Sequence, residues 1–351
     1  VYRIVGIGAT APSVASPITP SAATVLPPLP STPIAGVTND TAEALARTII
    51  PQRDPYQIYA RLKKDPALAT PVSTPSPRTR RVGEKDQFFV VENASTGKYR
   101  SAAATLHVIT PHAYAWVEDG MNFDLAALTK SIEFFENNVY PTNHKFFGVE
   151  KTGIDGDAHI NILSTKFGDA AGYFSRSDFY PTSVVQYSNQ RDIIYMNIEA
   201  VKPGSEQYNA DLAHEFQHLI HAYEAPHATG WIDEGMGDLA IKVNGFPVGG
   251  VLNEFARNPN TQLNTWANDP RDSLAHYAAS YLFFNYAAGR FGPDFTRDVI
   301  LATREGVYGV QMVLDKRANG LKFEDLFADW AVANYLNDPK VEGGNVVQQW
   351  F

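Results

Sequence analysis

The chain has 351 residues, 44% of them hydrophobic and 19% charged, which suits a globular protein of one large or two ordinary domains. A net charge of −9 argues against a nucleic-acid binder, which would present a basic surface. With no cysteine, the chain can build neither a disulfide framework nor a thiolate-held zinc, and no stretch is apolar for long enough to span a bilayer.

The first 81 residues read as a Pro-rich extension, either a pro-segment or a linker. Residues 11–34 and 70–77 are rich in Pro, Ser and Thr and favour extended linker structure. Short helical patterns lie at 41–49 and 56–64. Arg78, Arg80 and Arg81 form either a processing site or a solvated charge run. The first ten residues lack the basic start and apolar run of a signal peptide, so a secreted or cell-surface location is inferred from function alone.

A folded region is expected from Val82. Strands are expected at 87–92, 104–109, 113–117, 159–163 and 193–198. Between them, Leu125, Leu128, Ile132 and Phe135 at helical spacing predict a helix over 122–138. After His214 the balance reverses, with helices expected at 233–243, 273–288, 294–304, 310–316 and 323–336. The expectation is an α+β fold. Residues 82–225 would form a β-rich subdomain and 226–351 a helical one, with a cleft between them.

The segment Leu212-Ala213-His214-Glu215-Phe216-Gln217-His218 carries the chemistry. On a helix, positions i and i+4 share a face, so His214 and His218 can hold one zinc ion. Glu215 can then reach water at that metal. Such spacing suits metal-assisted hydrolysis, most often of a peptide bond. Catalytic zinc usually has three protein ligands, and the best third candidate is Glu234, sixteen residues beyond His218. Asp238, one turn later, can orient a ligating histidine. In the competing metzincin pattern a glycine and a third ligand would stand where His221 and Glu224 do. His221 cannot supply the glycine's sharp turn. It also lies about 10 Å along the helix from His214, too far to share one ion. It reads as a packing residue or a neighbour of the ligands.

His214, Glu215 and His218 followed by Glu234-x-x-x-Asp238 resemble the gluzincin metallopeptidases, the thermolysin-like branch of the zincins. The wording from Trp231 to Gly235 and the later His276-Tyr277 are closer to the hyicolysin-type bacterial metallopeptidases. The resemblance covers residues 211–238 and leaves everything before Val82 without a counterpart. It implies a zincin-like architecture with the metal in the cleft between the two subdomains, zinc on His214, His218 and Glu234, Glu215 as general base, and Asp238 orienting a histidine. It also makes Tyr277, then His276, the candidate donor to the oxyanion of a protein or peptide substrate. For substrate pairing, an edge strand at 170–174 or 193–198 is expected. Asp155, Asp157 and Asp169 suggest calcium only weakly, since their spacing matches no EF-hand loop. Two other readings stay open: a catalytically inactive binding or adhesion protein that keeps the fold, and a zinc hydrolase acting on a non-peptide substrate.

Overall fold

Alternation along the strands decides how the sheet is covered. In a strand, successive side chains point to opposite faces. From Ala113 to Val117 every residue is buried, with Ala113, Ala115 and Val117 packing in the large helical core. Tyr114 and Trp116 point the other way, into a second apolar cluster with Phe88, Val90, Leu106 and Tyr195. Residues 160–165 and 193–197 are buried throughout as well, so these two strands are covered on both faces and even Asn161, Ser164, Thr165 and Asn197 lie inside.

The computed structural model describes residues 54–69, 78–93, 96–225, 229–267, 273–302 and 306–336. The Pro-rich stretches at 11–34 and 70–77 and the helical pattern at 41–49 lie outside the described residues. Six strands form one mixed sheet: β1 (Lys85–Asn93), β2 (Lys98–Ile109), β3 (Ala113–Glu118), β4 (Ile160–Thr165), β5 (Gly172–Phe174) and β6 (Ile193–Asn197). Their order is β1-β2-β3-β4-β6-β5. The first three form an antiparallel meander, β3, β4 and β6 run parallel, and β5 is an antiparallel edge strand on β6. Helices and a mixed sheet together make an α+β fold.

Helix α1 (Pro55–Lys63) is capped by Asp54, which accepts from the Tyr56 amide at 2.9 Å. It docks through Tyr56, whose ring meets Tyr180 edge-on at 5.6 Å. Arg80 is no solvated charge. Its guanidinium sits over the Trp116 ring at 4.9 Å and pairs with Glu84 and Asp86 at 3.0 Å each. The helix expected at 122–138 begins at Leu125, where Asp124 caps it. After α2 (Leu125–Phe134) the backbone widens into a π-turn at Phe135–Val139 and continues as α3 (Tyr140–Phe147). Pro141, in the first turn of α3, lacks an N–H to donate, which the wider turn accommodates.

The helical part follows β6: α4 (Glu206–Glu224), α5 (Gly230–Val243), α6 (Val251–Arg257), α7 (Leu274–Phe291), α8 (Pro293–Ile300), α9 (Gly306–Arg317) and α10 (Phe323–Leu336). The seven-residue α6 is too short to announce itself by periodicity. Helix α7 runs three residues past its expected end and stops at Gly292, whose φ of 84° suits glycine. Helix α8 stops at Ile300, short of the expected 304. Among the described residues, no helix is long and apolar enough to cross a membrane.

Candidate metal centre

Helix α4 starts where Ser205 accepts from the Tyr208 amide at 3.1 Å, with Glu206 favouring the positive end of the helix. Residues 210–222 are all buried, so the helix runs through the core rather than along its surface. His214 and His218 project from one face, as i and i+4 demand, and their Nε2 atoms stand 3.0 Å apart. Glu234 arrives from α5, its Oε2 lying 3.4 Å from His214 Nε2 and 3.5 Å from His218 Nε2. Among the described residues, these three are the one group whose donor atoms converge within metal-binding reach, all inside 4.8 Å of one another.

Two glycines let α5 come this close. A Cβ on Gly237 would lie 2.7 Å from a His214 ring atom, and one on Gly235 would lie 2.8 Å from Ser280 Cβ of α7. Each interior glycine costs a helix about 1 kcal/mol relative to alanine. Here Gly237 makes room for the imidazole and Gly235 seats α5 on α7.

Each histidine is faced by a carboxylate on its outer nitrogen. Asp238 Oδ1 stands 3.2 Å from His214 Nδ1, an ion-pair contact whose angle falls short of an aligned hydrogen bond. Asp233 Oδ1 is 3.0 Å from His218 Nδ1. A proton on each Nδ1 leaves both Nε2 lone pairs pointing inward. Asp238, the residue expected to orient a ligating histidine, lies beside His214. Asp233 and Gly237 carry no spacing pattern of their own. Their one signal is that three acids and two glycines crowd into Asp233-Glu234-Gly235-Met236-Gly237-Asp238.

The electrostatics follow from burial. His214, Glu215, Glu234 and Asp238 are all at most 3% exposed. Burial raises the Glu215 carboxyl above its ordinary range. Burial would raise Glu234 too, but His218 and His214 beside it hold its carboxyl down at about 2. For His214 burial works downward, and the contacts with Asp238 and Glu234 outweigh it, taking the ring up to about 9. Both oxygens of Glu234, both of Asp238 and Oε2 of Glu215 are buried without a hydrogen bond. Buried polar atoms are rarely left so, and several together ask for a cation. Two imidazole nitrogens and one carboxylate form a donor set suited to zinc.

Tyr277 of α7 is buried, with its ring edge-on to Trp266 at 4.9 Å. Burial, then the charges of Glu234, Asp238 and Glu215, push its hydroxyl well above the ordinary range. The structure thus brings Tyr277 to the carboxylates of the site. His276 instead packs against Trp266 at 5.8 Å and against the carbonyls of Gln262 and Thr265. His221 is not among the converging donors, and its Nδ1 lies 2.9 Å from Asp233 Oδ1. Glu224 sits beside the end of α3, its Cγ 3.8 Å from where a Cβ on Gly148 would be.

Of the two strands expected to receive substrate, β6 is interior, flanked by β4 and β5, whereas β5 lies at the edge. Gly172 of β5 passes so close to the motif that a Cβ there would be 3.0 Å from Glu215 Cγ. Asp155, Asp157 and Asp169 form no metal-binding group of this kind. Asp155 accepts from the Asp157 amide at 3.2 Å, and Asp157 is engaged by His159 and Tyr114, as in a turn.

No family model and no curated protein sequence matches the chain. Among solved structures, a mutant of an M1 zinc metallopeptidase from Deinococcus radiodurans is similar at 7% sequence identity and a TM-score of 0.40, over 71% of this chain. The match spans 62% of that protein, less than two thirds of its length, and so distant a likeness assigns neither family nor activity.

Proposed function

We propose that the protein is a zinc-dependent endopeptidase of gluzincin type, acting on an extended protein or peptide outside the cell. The observation that carries this reading is the buried convergence of His214, His218 and Glu234, with Glu215 beside them and an edge strand passing over it. When bound, zinc supplies a Lewis acid that polarises the scissile carbonyl and lowers the pKa of water. Glu215, its carboxyl raised by burial, takes a proton from the attacking water and passes it to the leaving amine. Tyr277 keeps its proton at neutral pH and donates to the developing oxyanion. The outer side of β5, the last strand in the sheet order, pairs with substrate backbone, and Gly172 sets that backbone close to Glu215.

The test is casein cleavage with and without a zinc chelator, beside Glu215→Gln and Glu234→Ala. Cleavage should vanish with chelator. Glu215→Gln should retain about one zinc per chain yet lose at least ~10³-fold in rate, and Glu234→Ala should lose the metal. One zinc per chain with no turnover of any peptide would point to a binding protein or a non-peptide hydrolase. Unchanged zinc affinity in Glu234→Ala would remove the third ligand.

A further inference from the structure

His221 stands where a metzincin would need glycine, and the metal ligands leave it without a task. Its surroundings supply one. We propose that His221 is a positioning residue for the metal centre, acting on His218 through Asp233; the inference rests on the metallopeptidase reading of this site.

Two ring nitrogens meet one oxygen. Asp233 Oδ1 lies 3.0 Å from His218 Nδ1 and 2.9 Å from His221 Nδ1. His218 and His221 are i and i+3 on α4, neighbours on one face, while Asp233 belongs to the first turn of α5. A carboxylate held by one imidazole can still swing about its own side-chain bonds. The second contact, from His221, is an ion pair whose angle falls short of an aligned hydrogen bond, and it restricts where that oxygen can move. His221 is 2% exposed and has little room to leave.

The neighbouring amide gives the proton's position. As placed, Gln217 Nε2 lies 3.3 Å from the same His221 Nδ1, while Gln217 Oε1 is buried without a hydrogen-bond partner. If His221 Nδ1 carries a proton toward Asp233, two donors face each other and an acceptor is wasted. Turning the Gln217 amide over brings Oε1 to Nδ1 and satisfies both. His221 Nδ1–H is then shared between Asp233 and Gln217, which locks its tautomer. Asp233, held from that side, accepts from His218 Nδ1–H and keeps the His218 Nε2 lone pair aimed at His214 and Glu234. The two ligating histidines are therefore oriented differently: His214 by Asp238, and His218 by an acid that is itself fixed by a third histidine.

The experiment loads full-length protein with cobalt(II), reads the visible d–d spectrum, and measures affinity by chelator competition. His221→Phe keeps a ring without a donor. His221→Asn places an N–H₂ where Nδ1 was. His221→Phe should weaken cobalt binding 10- to 100-fold and shift the spectrum, and His221→Asn should recover the wild-type spectrum and affinity to within about three-fold. Because His221 acts through Asp233, His221→Phe with Asp233→Leu should bind no more weakly than Asp233→Leu alone. Wild-type affinity and spectrum in His221→Phe would overturn the inference and leave the metal centre standing. So would additive losses in the double variant, or an equal loss in His221→Asn and His221→Phe at equal metal-free melting temperature. No cobalt uptake by the wild type would overturn the metal-centre reading itself, and the inference with it.

Discussion

Among the described residues, a buried polar group at the sheet contrasts with one between the helices. At the sheet, Asp178 accepts from the Asn189 amide at 2.5 Å and from the Tyr195 hydroxyl at 2.8 Å. Asn189 in turn accepts from the Phe89 amide at 2.8 Å and donates to the Phe89 carbonyl at 2.8 Å, fastening β1 to the loop before β6. Both oxygens of Asp178 and both polar atoms of the Asn189 side chain are used. At the helices, Glu234 and Asp238 are as deeply buried, and all four of their carboxylate oxygens lack a hydrogen bond. Burial is common to the two groups, so it cannot separate scaffold from site. Satisfaction does: a closed network stabilises the fold, and an open one waits for a ligand.

The largest expected effect breaks the closed network. Asp178→Ala leaves the Tyr195 hydroxyl and the Asn189 amide buried without an acceptor, at a cost of about 2–4 kcal/mol. Denaturant unfolding should show that loss, while zinc stoichiometry stays that of the wild type. Loss of zinc together with stability would mean that the two groups are one unit.

The same contrast governs what could be read from the chain. The β-then-α order was legible, because period-2 and period-3.6 patterns are local. His214, Glu215 and His218 were legible because one helix turn sets their spacing, and Glu234 and Asp238 because a second turn repeats it. Asp233 and Gly237 were not, because each matters only through a ring brought from another helix. The edge position of β5 was half legible: Gly172 marks a close approach, but only the strand order shows that β6 lies inside and β5 outside. Nor does any pattern show that Arg80 lies over Trp116, since that contact joins residues 36 apart.

A smaller effect tests the link between sheet and site. In Gly172→Ala the new Cβ would stand 3.0 Å from Glu215 Cγ and 3.2 Å from the Tyr195 carbonyl. Either Glu215 or the strand must yield by a few tenths of an ångström. Peptide turnover should fall about ten-fold, with zinc affinity held, because the ligands are not touched. If turnover is unchanged, β5 does not govern Glu215.

The smallest effect sharpens the comparison with an acid between the two extremes. Asp192 is buried and accepts from the Tyr223 hydroxyl of α4 at 2.5 Å. Burial first, then Asp155 and Glu150 nearby, outweighs that bond and raises its carboxyl to about 8. The sign follows from proton counts. Below the ordinary carboxylate value of about 3.8, folded and unfolded chains both hold the proton, and nothing changes with pH. Above it the unfolded chain ionises while the folded one stays neutral, so the unfolded chain binds fewer protons and stability falls as pH rises, levelling off above about 8. Asn at this position still accepts from Tyr223 but carries no proton equilibrium. Between pH 5 and 8 the wild type should therefore lose more stability than Asp192→Asn, by on the order of 1 kcal/mol once solvent relaxation reduces the full shift. Melting curves of the two proteins at pH 5, 6.5 and 8 check this. Parallel falls would mean that Asp192 is ionised in the fold, and that the Tyr223 bond, like those to Asp178, closes its network.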